Sequence, residues 1–404
     1  MVRVHMLSTP FWNTLLRGLL AKLIQRWSKS QRASLLLGLG LSLFVAIPPS
    51  LAAQDIPFRH EIVDADGPED PWAKMLGDVD GDRLSDVVVG GREGPLVWYE
   101  ASDWAEYPIA DGGYETVDGE LGDINGDGHL DVVMGGLLWY ENPGASFGQA
   151  WVAHRIADHA THDVELADLN GDGALDIVTR DQSAFSDPAG DEIHVWVQED
   201  PDSWNEHVIS CPHGEGVHVA DLNDDGRPDI VAGSYWYENA GSGGSAPWQA
   251  HQIGSWHPNT SVAAADVNGD GRTDVILTPA ELEDEYYRIS WFEAPEDPSG
   301  VTWTEHVIEE KVEAVYHSLA AADVNGDGQI DIVTAEMHQS EDPDEVVVFV
   351  NGGQGRAWDK QVLSTKGSHL VQVQDIDRDG DVDIMGANWT SDYQAIELWD
   401  NLIN

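Results

Sequence analysis

Asp123-Ile124-Asn125-Gly126-Asp127-Gly128-His129-Leu130-Asp131 runs directly into Val132-Val133-Met134, and this stretch decides the fold. The nine-residue part reads D-x-N-x-D-x-x-x-D. Six further copies of D-x-[DN]-x-D-x-x-x-D begin at Asp78, Asp168, Asp221, Asp266, Asp323 and Asp375. Oxygen ligands at alternate positions of a tight turn suit a hard divalent cation, and calcium takes about six to eight of them. The run that follows is β-branched, which favours a strand.

Positions 1, 3, 5 and 9 of the loop offer side-chain oxygens, and position 7 offers a backbone carbonyl. The candidate calcium ligands are Asp78, Asp80, Asp82 and Asp86 in the first copy, then Asp123, Asn125, Asp127 and Asp131. The next copies give Asp168, Asn170, Asp172 and Asp176, then Asp221, Asn223, Asp225 and Asp229. The last three give Asp266, Asn268, Asp270 and Asp274, then Asp323, Asn325, Asp327 and Asp331, then Asp375, Asp377, Asp379 and Asp383. Up to seven calcium ions are expected, as staples between strands. No Glu stands at position 12, which separates the loop from an EF-hand. Position 4 is Gly in five copies, as a sharp turn requires. Arg83 replaces the usual Gly at position 6 of the first copy.

Loop starts are 45, 45, 53, 45, 57 and 52 residues apart. Such a period signals one supersecondary unit per repeat. Each unit reads as four short strands: a small apolar strand before the loop, the β-branched strand after it, and a third with an aromatic pair such as Trp139-Tyr140. The fourth follows W-x-x-[HYQ]-x-[IL], as in Trp151 to Ile156. Four strands per repeat make a propeller blade, so the fold class is all-β, a seven-bladed β-propeller with a calcium loop in each blade. The last repeat stops at Leu398-Trp399-Asp400-Asn401 without a fourth strand. Pro57-Phe58-Arg59-His60-Glu61-Ile62 resembles one, so the N-terminal strand is expected to close the ring and remove exposed sheet edges.

The chain has 404 residues, 73 acidic and 20 basic, for a net charge of -53. That balance excludes a nucleic-acid partner, which needs a basic footprint. The first 53 residues differ: Arg3, Arg17, Lys22, Arg26, Lys29 and Arg32 are basic and none is acidic. An apolar run from Ala33 to Ile47 and the small residues Ser50-Leu51-Ala52-Ala53 complete a signal-peptide layout. Residues 1–53 are therefore read as a leader and 54–404 as the propeller. The mature protein is expected to be secreted or periplasmic and without a membrane span, since the apolar run falls short of the ~20 residues that crossing takes. Cys211 is the one cysteine, so no internal disulfide forms.

The chain resembles the FG-GAP-like or VCBS repeat family of calcium-binding β-propellers over about residues 55 to 404. The literal Phe-Gly and Gly-Ala-Pro signatures of integrin blades are absent.

Counting six residues back from each loop start gives Trp72, Val117, His162, Glu215, Thr260, His317 and His369. These residues begin the innermost strands, which a propeller gathers around one mouth of its channel. His162, Glu215, His317 and His369 are thus candidates to bind a rim metal such as zinc, manganese or magnesium, or to move protons. Blades 3 and 4 adjoin, as do 6 and 7, so a metal is expected to touch two or three of the four. Loops between second and third strands share that face and carry Arg180, Glu336, His338, Asn388 and Trp389, the candidate substrate-binding residues. His154, His207, His251 and His306 read as outer-strand surface positions.

The surroundings of His162, Glu215 and His317, with Ala335-Glu336-Met337-His338 and Gly386-Ala387-Asn388-Trp389, are also similar to the propeller part of aldos-2-ulose dehydratases. That resemblance implies dehydration of an anhydro-sugar such as 1,5-anhydrofructose; the cupin domains of those enzymes are missing. Two functions are expected: a metal-dependent lyase or dehydratase acting on a sugar or polysaccharide, or a non-catalytic propeller that binds glycan or protein.

Overall fold

The computed structural model describes residues 55–403 apart from 93, 115–117, 145–147, 160, 182–189, 242–246, 301, 342 and 391–392, and apart from the side chains of 282–284. The leader read at residues 1–53 and Val117 lie outside the described residues. Every element described is a strand, and no helix there is long and apolar enough to cross a membrane.

Twenty-eight strands form seven four-stranded antiparallel sheets. Blade 1 holds β2 (Pro71–Gly77), β3 (Asp86–Gly91), β4 (Leu96–Glu100) and β5 (Ala105–Ala110). Blade 2 holds β6 (Gly119–Gly122), β7 (Asp131–Met134), β8 (Leu138–Glu141) and β9 (Val152–Arg155). Blade 3 holds β10 (Asp163–Ala167), β11 (Asp176–Arg180), β12 (Glu192–Asp200) and β13 (Ser203–Ser210). Blade 4 holds β14 (His218–Ala220), β15 (Asp229–Ala232), β16 (Tyr235–Glu238) and β17 (Gln249–Gln252). Blade 5 holds β18 (Thr260–Ala265), β19 (Asp274–Pro279), β20 (Leu282–Glu293) and β21 (Thr304–Ala314). Blade 6 holds β22 (Tyr316–Ala322), β23 (Asp331–Glu336), β24 (Val346–Asn351) and β25 (Trp358–Ser364). Blade 7 joins β26 (Leu370–Gln374), β27 (Asp383–Ala387) and β28 (Ile396–Asn401) to β1 (Phe58–Asp64), with Phe58 opposite Asn401 and His60 opposite Trp399.

The second strands are apolar and mostly rich in β-branched residues because both their faces are covered. In β3, Val88 packs toward blade 2 with Val132 and Met134. Its neighbours Val87 and Val89 pack toward blade 7 with Met385 and Leu398. Alternation along a strand thus supplies one side chain to each neighbouring blade. Burying each such side chain stabilises by about 1.5–3 kcal/mol.

Glycine at the end of an inner strand lets blades approach. A Cβ at Gly122 would stand 2.6 and 2.8 Å from Leu175 and Leu166 of blade 3, and one at Gly77 would stand 2.8 Å from Leu121 and Leu130 of blade 2.

The last Asp of each loop is a hydrogen-bond hub. Asp131 Oδ2 accepts the Ile124 amide at 2.9 Å, and Oδ1 accepts the Asn142 amide at 2.8 Å. The Asn142 side chain then donates 2.8 Å across the blade junction to the Val79 carbonyl. Gln198, Asn239, Asn351 and Asn401 make the same bridge to Ile124, Leu169, Val267 and Val324. Blades 1 and 5 carry Ala101 and Ala294 there, whose amides meet the hub but which lack a bridging side chain.

Three of the four fourth-strand histidines, all but His207, correct the surface reading. His154 stacks on Trp139 at 4.1 Å and meets Glu141 at 3.1 Å. His251, itself buried, repeats this with Trp236 and Glu238, and His306 with Trp291 and Glu293. An imidazole that covers an indole and bonds a carboxylate is packing machinery.

A candidate metal centre at the channel mouth

Three of the four rim residues converge. Ligand atoms of His162, Glu215 and His317 all lie within 4.8 Å of one another. They come from blades 3, 4 and 6, and the backbone fixes each: the His162 amide donates to Arg180 O at 2.7 Å, the Glu215 amide to Pro258 O at 3.3 Å, and the His317 carbonyl accepts from Ser261 Oγ at 2.5 Å. The fourth, His369, stacks on His317 with centroids 4.2 Å apart and so stands behind the trio.

The cluster holds buried polar atoms without hydrogen-bond partners, although His162 Nε2 stands 3.9 Å from Glu215 Oε2. Both Glu215 carboxylate oxygens, His317 Nδ1 and His369 Nδ1 are buried and make no hydrogen bond. Glu215 is 1 % exposed. Buried polar atoms are nearly always satisfied, so an orphaned set asks for an explanation such as an ion. Two imidazoles and a carboxylate fit a transition metal.

Charge in the cluster is arranged around this. Burial opposes protonation of His162, but Asp163, 3.2 Å from its Nδ1, outweighs it and raises the ring to about 10. Burial, then the charge on His162, lowers His317 to about 3. Burial holds His369 well below its ordinary value, with His317 adding to the effect. Burial lifts the Glu215 carboxyl well above the usual range against the pull of His162. His317 and His369 are thereby held toward the neutral form that ligates metal, whereas His162, raised by Asp163, would have to give up its Nε2 proton to bind one.

Two further charged groups belong here. Glu281 Oε1 lies 3.3 Å from His317 Nε2, and burial raises its carboxyl. Sequence reasoning missed it, although it sits seven residues past Asp274 as His338 sits seven past Asp331. Lys74 of β2 is fully buried; burial lowers it to about 7 against the opposing pull of Asp118. A channel cavity of about 300 Å³ lies against the trio and continues past Asp118, Glu120, Glu165 and His218.

The five candidate substrate residues divide. Trp389 stands 6.2 Å from His369 and 5.1 Å from His338, ring to ring, so these two adjoin the centre. Asn388 gives its amide to Lys366 O at 2.6 Å and keeps a buried, unbonded Oδ1. Glu336 is buried and accepts the Glu345 amide. Arg180 is buried and gives its donors to the carbonyls of Gly190, Pro212, Glu215 and Gly216. It positions the turn that carries Glu215.

In the acidic loops, Asp78, Asp80 and Asp86 bring carboxylate oxygens within 4.8 Å of one another, as do Asp375, Asp377 and Asp383. These all-oxygen sets fit a hard cation. Burial pushes Asp86 up to about 7 and Asp131 to about 6, since neither has a counter-charge. In blades 4 and 5 a guanidinium already pairs with the loop, Arg227 on Asp225 and Arg272 on Asp270.

Fold and site together define a seven-bladed repeat propeller with a His/Glu cluster in its channel. The FG-GAP-like repeat pattern matches residues 78–134, 123–179, 221–277 and 323–386, and the chain belongs to this family. No curated protein matches it in sequence. Among solved structures, BBS1N in complex with ARL6DN is similar at 11% identity and a TM-score of 0.54, over 86% of this chain and 97% of that one. The V. cholerae biofilm matrix protein Bap1 is similar at 10% and 0.46, over 86% and 91%. Rhamnogalacturonan lyase YesW is similar at 12% and 0.45, over 87% and 76%. At these identities the likeness is one of fold alone. The resemblance to aldos-2-ulose dehydratases finds no support in these comparisons.

Proposed function

We propose that this propeller is a secreted or periplasmic lyase or dehydratase that acts on a sugar or polysaccharide through a metal held by His162, Glu215 and His317. The observation that carries the reading is the convergence of those three side chains with both Glu215 oxygens buried and without a hydrogen bond. Zinc, manganese or magnesium there would supply a Lewis acid that polarises a sugar oxygen. Glu281 is then placed to take a proton from the carbon beside a carbonyl, its carboxyl already raised by burial. His369 backs His317, and Asp163 holds the His162 ring in place. Calcium in the acidic loops is proposed as a set of staples, weakest in blades 4 and 5 where arginine competes. The pairing of β1 with β28 supports closure of the ring by the N-terminal strand.

A second reading, a non-catalytic glycan- or protein-binding propeller, is favoured by one observation: the Trp72 and Trp389 rings lie 5.3 Å apart on this face. The test that separates the two is a screen of keto-sugars and uronate polysaccharides for unsaturated products by absorbance, with metal content measured on the same protein. The enzyme reading expects activity together with about one zinc or manganese per chain, both lost in a His162→Ala, His317→Ala double variant. Calcium alone in the protein, with that double variant unchanged in ligand affinity, refutes it.

A further inference from the structure

We propose that Trp72, Trp389 and Arg92 form a subsite for an anionic sugar ring beside the His/Glu centre, an inference that rests on the carbohydrate reading above. Trp72 opens β2 and Trp389 follows β27, so neighbouring blades bring the two indoles together at the mouth. Their centroids are 5.3 Å apart at 58°, and both rings are half-buried. Two indole faces set at an angle make an apolar cradle for the C–H face of a pyranose, whose rim hydroxyls remain free to bond.

The charge comes from Arg92, which follows β3. It stands six residues past Asp86, as Trp389 stands six past Asp383. Gly91 pairs with Pro71 and the Arg92 amide donates to Asp70 O at 2.8 Å, so Arg92 lies at the end of β2 where Trp72 stands. The Arg92 guanidinium carbon lies 4.8 Å over Trp72 and 5.8 Å over Trp389. Arg92 is exposed and has no carboxylate partner among the described residues. Arg59, Arg155, Arg227, Arg272, Arg288 and Lys360 each pair with an acid, whereas Arg92, like Lys311 over Tyr286 and Lys366 over Tyr393, lies on an aromatic ring instead. A guanidinium over two indoles offers its planar fork to a carboxylate or sulfate at its edge, so the sugar ring seats on the indole surface that Arg92 leaves open.

The cradle is continuous with the centre. Trp389 contacts His369, and His369 stacks on His317. A ring seated on the indoles with its anion on Arg92 therefore has its neighbouring residue over the His/Glu cluster. An acidic molecule gains from such a site, because its surface repels polyanions everywhere else.

The experiment is calorimetric titration of the full propeller with three matched oligosaccharides: a uronate tetramer, a sulfated tetramer and a neutral one. Wild type and Arg92→Gln are compared, with metal content measured on both. Wild type is expected to bind at least one anionic oligomer ten-fold or more tighter than the neutral one. In Arg92→Gln that preference disappears while neutral-oligomer affinity and metal content hold. The anion whose affinity depends on Arg92 identifies the group. Equal binding of neutral and anionic oligomers by wild type, an unchanged preference in Arg92→Gln, or no binding at all overturns the subsite. Metal retained in the face of any of those results leaves the His/Glu centre standing. Arg92-dependent binding without metal keeps the subsite and removes the centre.

Discussion

Arg180 shows how a residue type can mislead about its task. A lone arginine at the end of β11, next to the channel mouth, reads as a substrate clamp. In the fold it is buried, and its five hydrogen bonds all end on backbone carbonyls, two of them at Glu215 and Gly216. Lysine cannot reproduce a planar five-donor fork. Arg180→Lys is therefore expected to destabilise the protein by at least ~2 kcal/mol, because several buried carbonyls lose their donors. It should also weaken metal binding at Glu215 with the ligands themselves intact; urea unfolding and metal titration on one preparation check both effects. The opposite lesson comes from Glu281 and Arg92. Both were present in the sequence at the same offsets from their loops as residues already singled out. The residue type at those offsets changes from blade to blade, so no single pattern marked Glu281 or Arg92 out.

At the scale of elements, the sequence was most legible where a periodic constraint acts on every copy. The nine-residue loop set blade number and register, and the strands before and after it fall where the pattern puts them. Gly or Ala stands before six of the seven loops, with Gln374 the exception. Gly122 ends β6 with the leucines of blade 3 at van der Waals limit. Gly122→Ala is expected to cost about 1–3 kcal/mol through overpacking, seen as a lowered urea midpoint with an unchanged slope. What the pattern could not show was contact across strands. Trp139, His154 and Glu141 are separated along the chain and meet only because β8 and β9 pair in register. Their histidine therefore looked like surface. The amide bridges from Asn142 and its equivalents were hidden likewise, since each joins one blade to the loop of the blade before it.

Across the whole molecule, seven wedges must stay together without a disulfide and with a large negative charge. Apolar packing between blades supplies the adhesion, and the acidic loops concentrate repulsion at one end of the inner strands. If calcium neutralises those loops, removing it should loosen the entire ring. Dialysis against a calcium chelator is expected to lower the melting temperature by roughly 10 °C or more, as loss of many-fold-saturating ligand does for several sites at once. Added calcium should restore it and magnesium should restore less, because magnesium demands tighter octahedral geometry. Differential scanning calorimetry reads the shift.

At the channel mouth chemistry breaks the repeat: four blades place His162, Glu215, His317 and His369 where the others carry Trp72, Val117 and Thr260, and the first three of these converge. Anomalous diffraction from crystals grown with zinc or manganese, collected at the metal's absorption edge, tests that cluster most directly. The account predicts one strong peak within coordination distance of His162, Glu215 and His317, absent in Glu215→Gln crystals. Peaks confined to the acidic loops, with none between those three side chains, would contradict it.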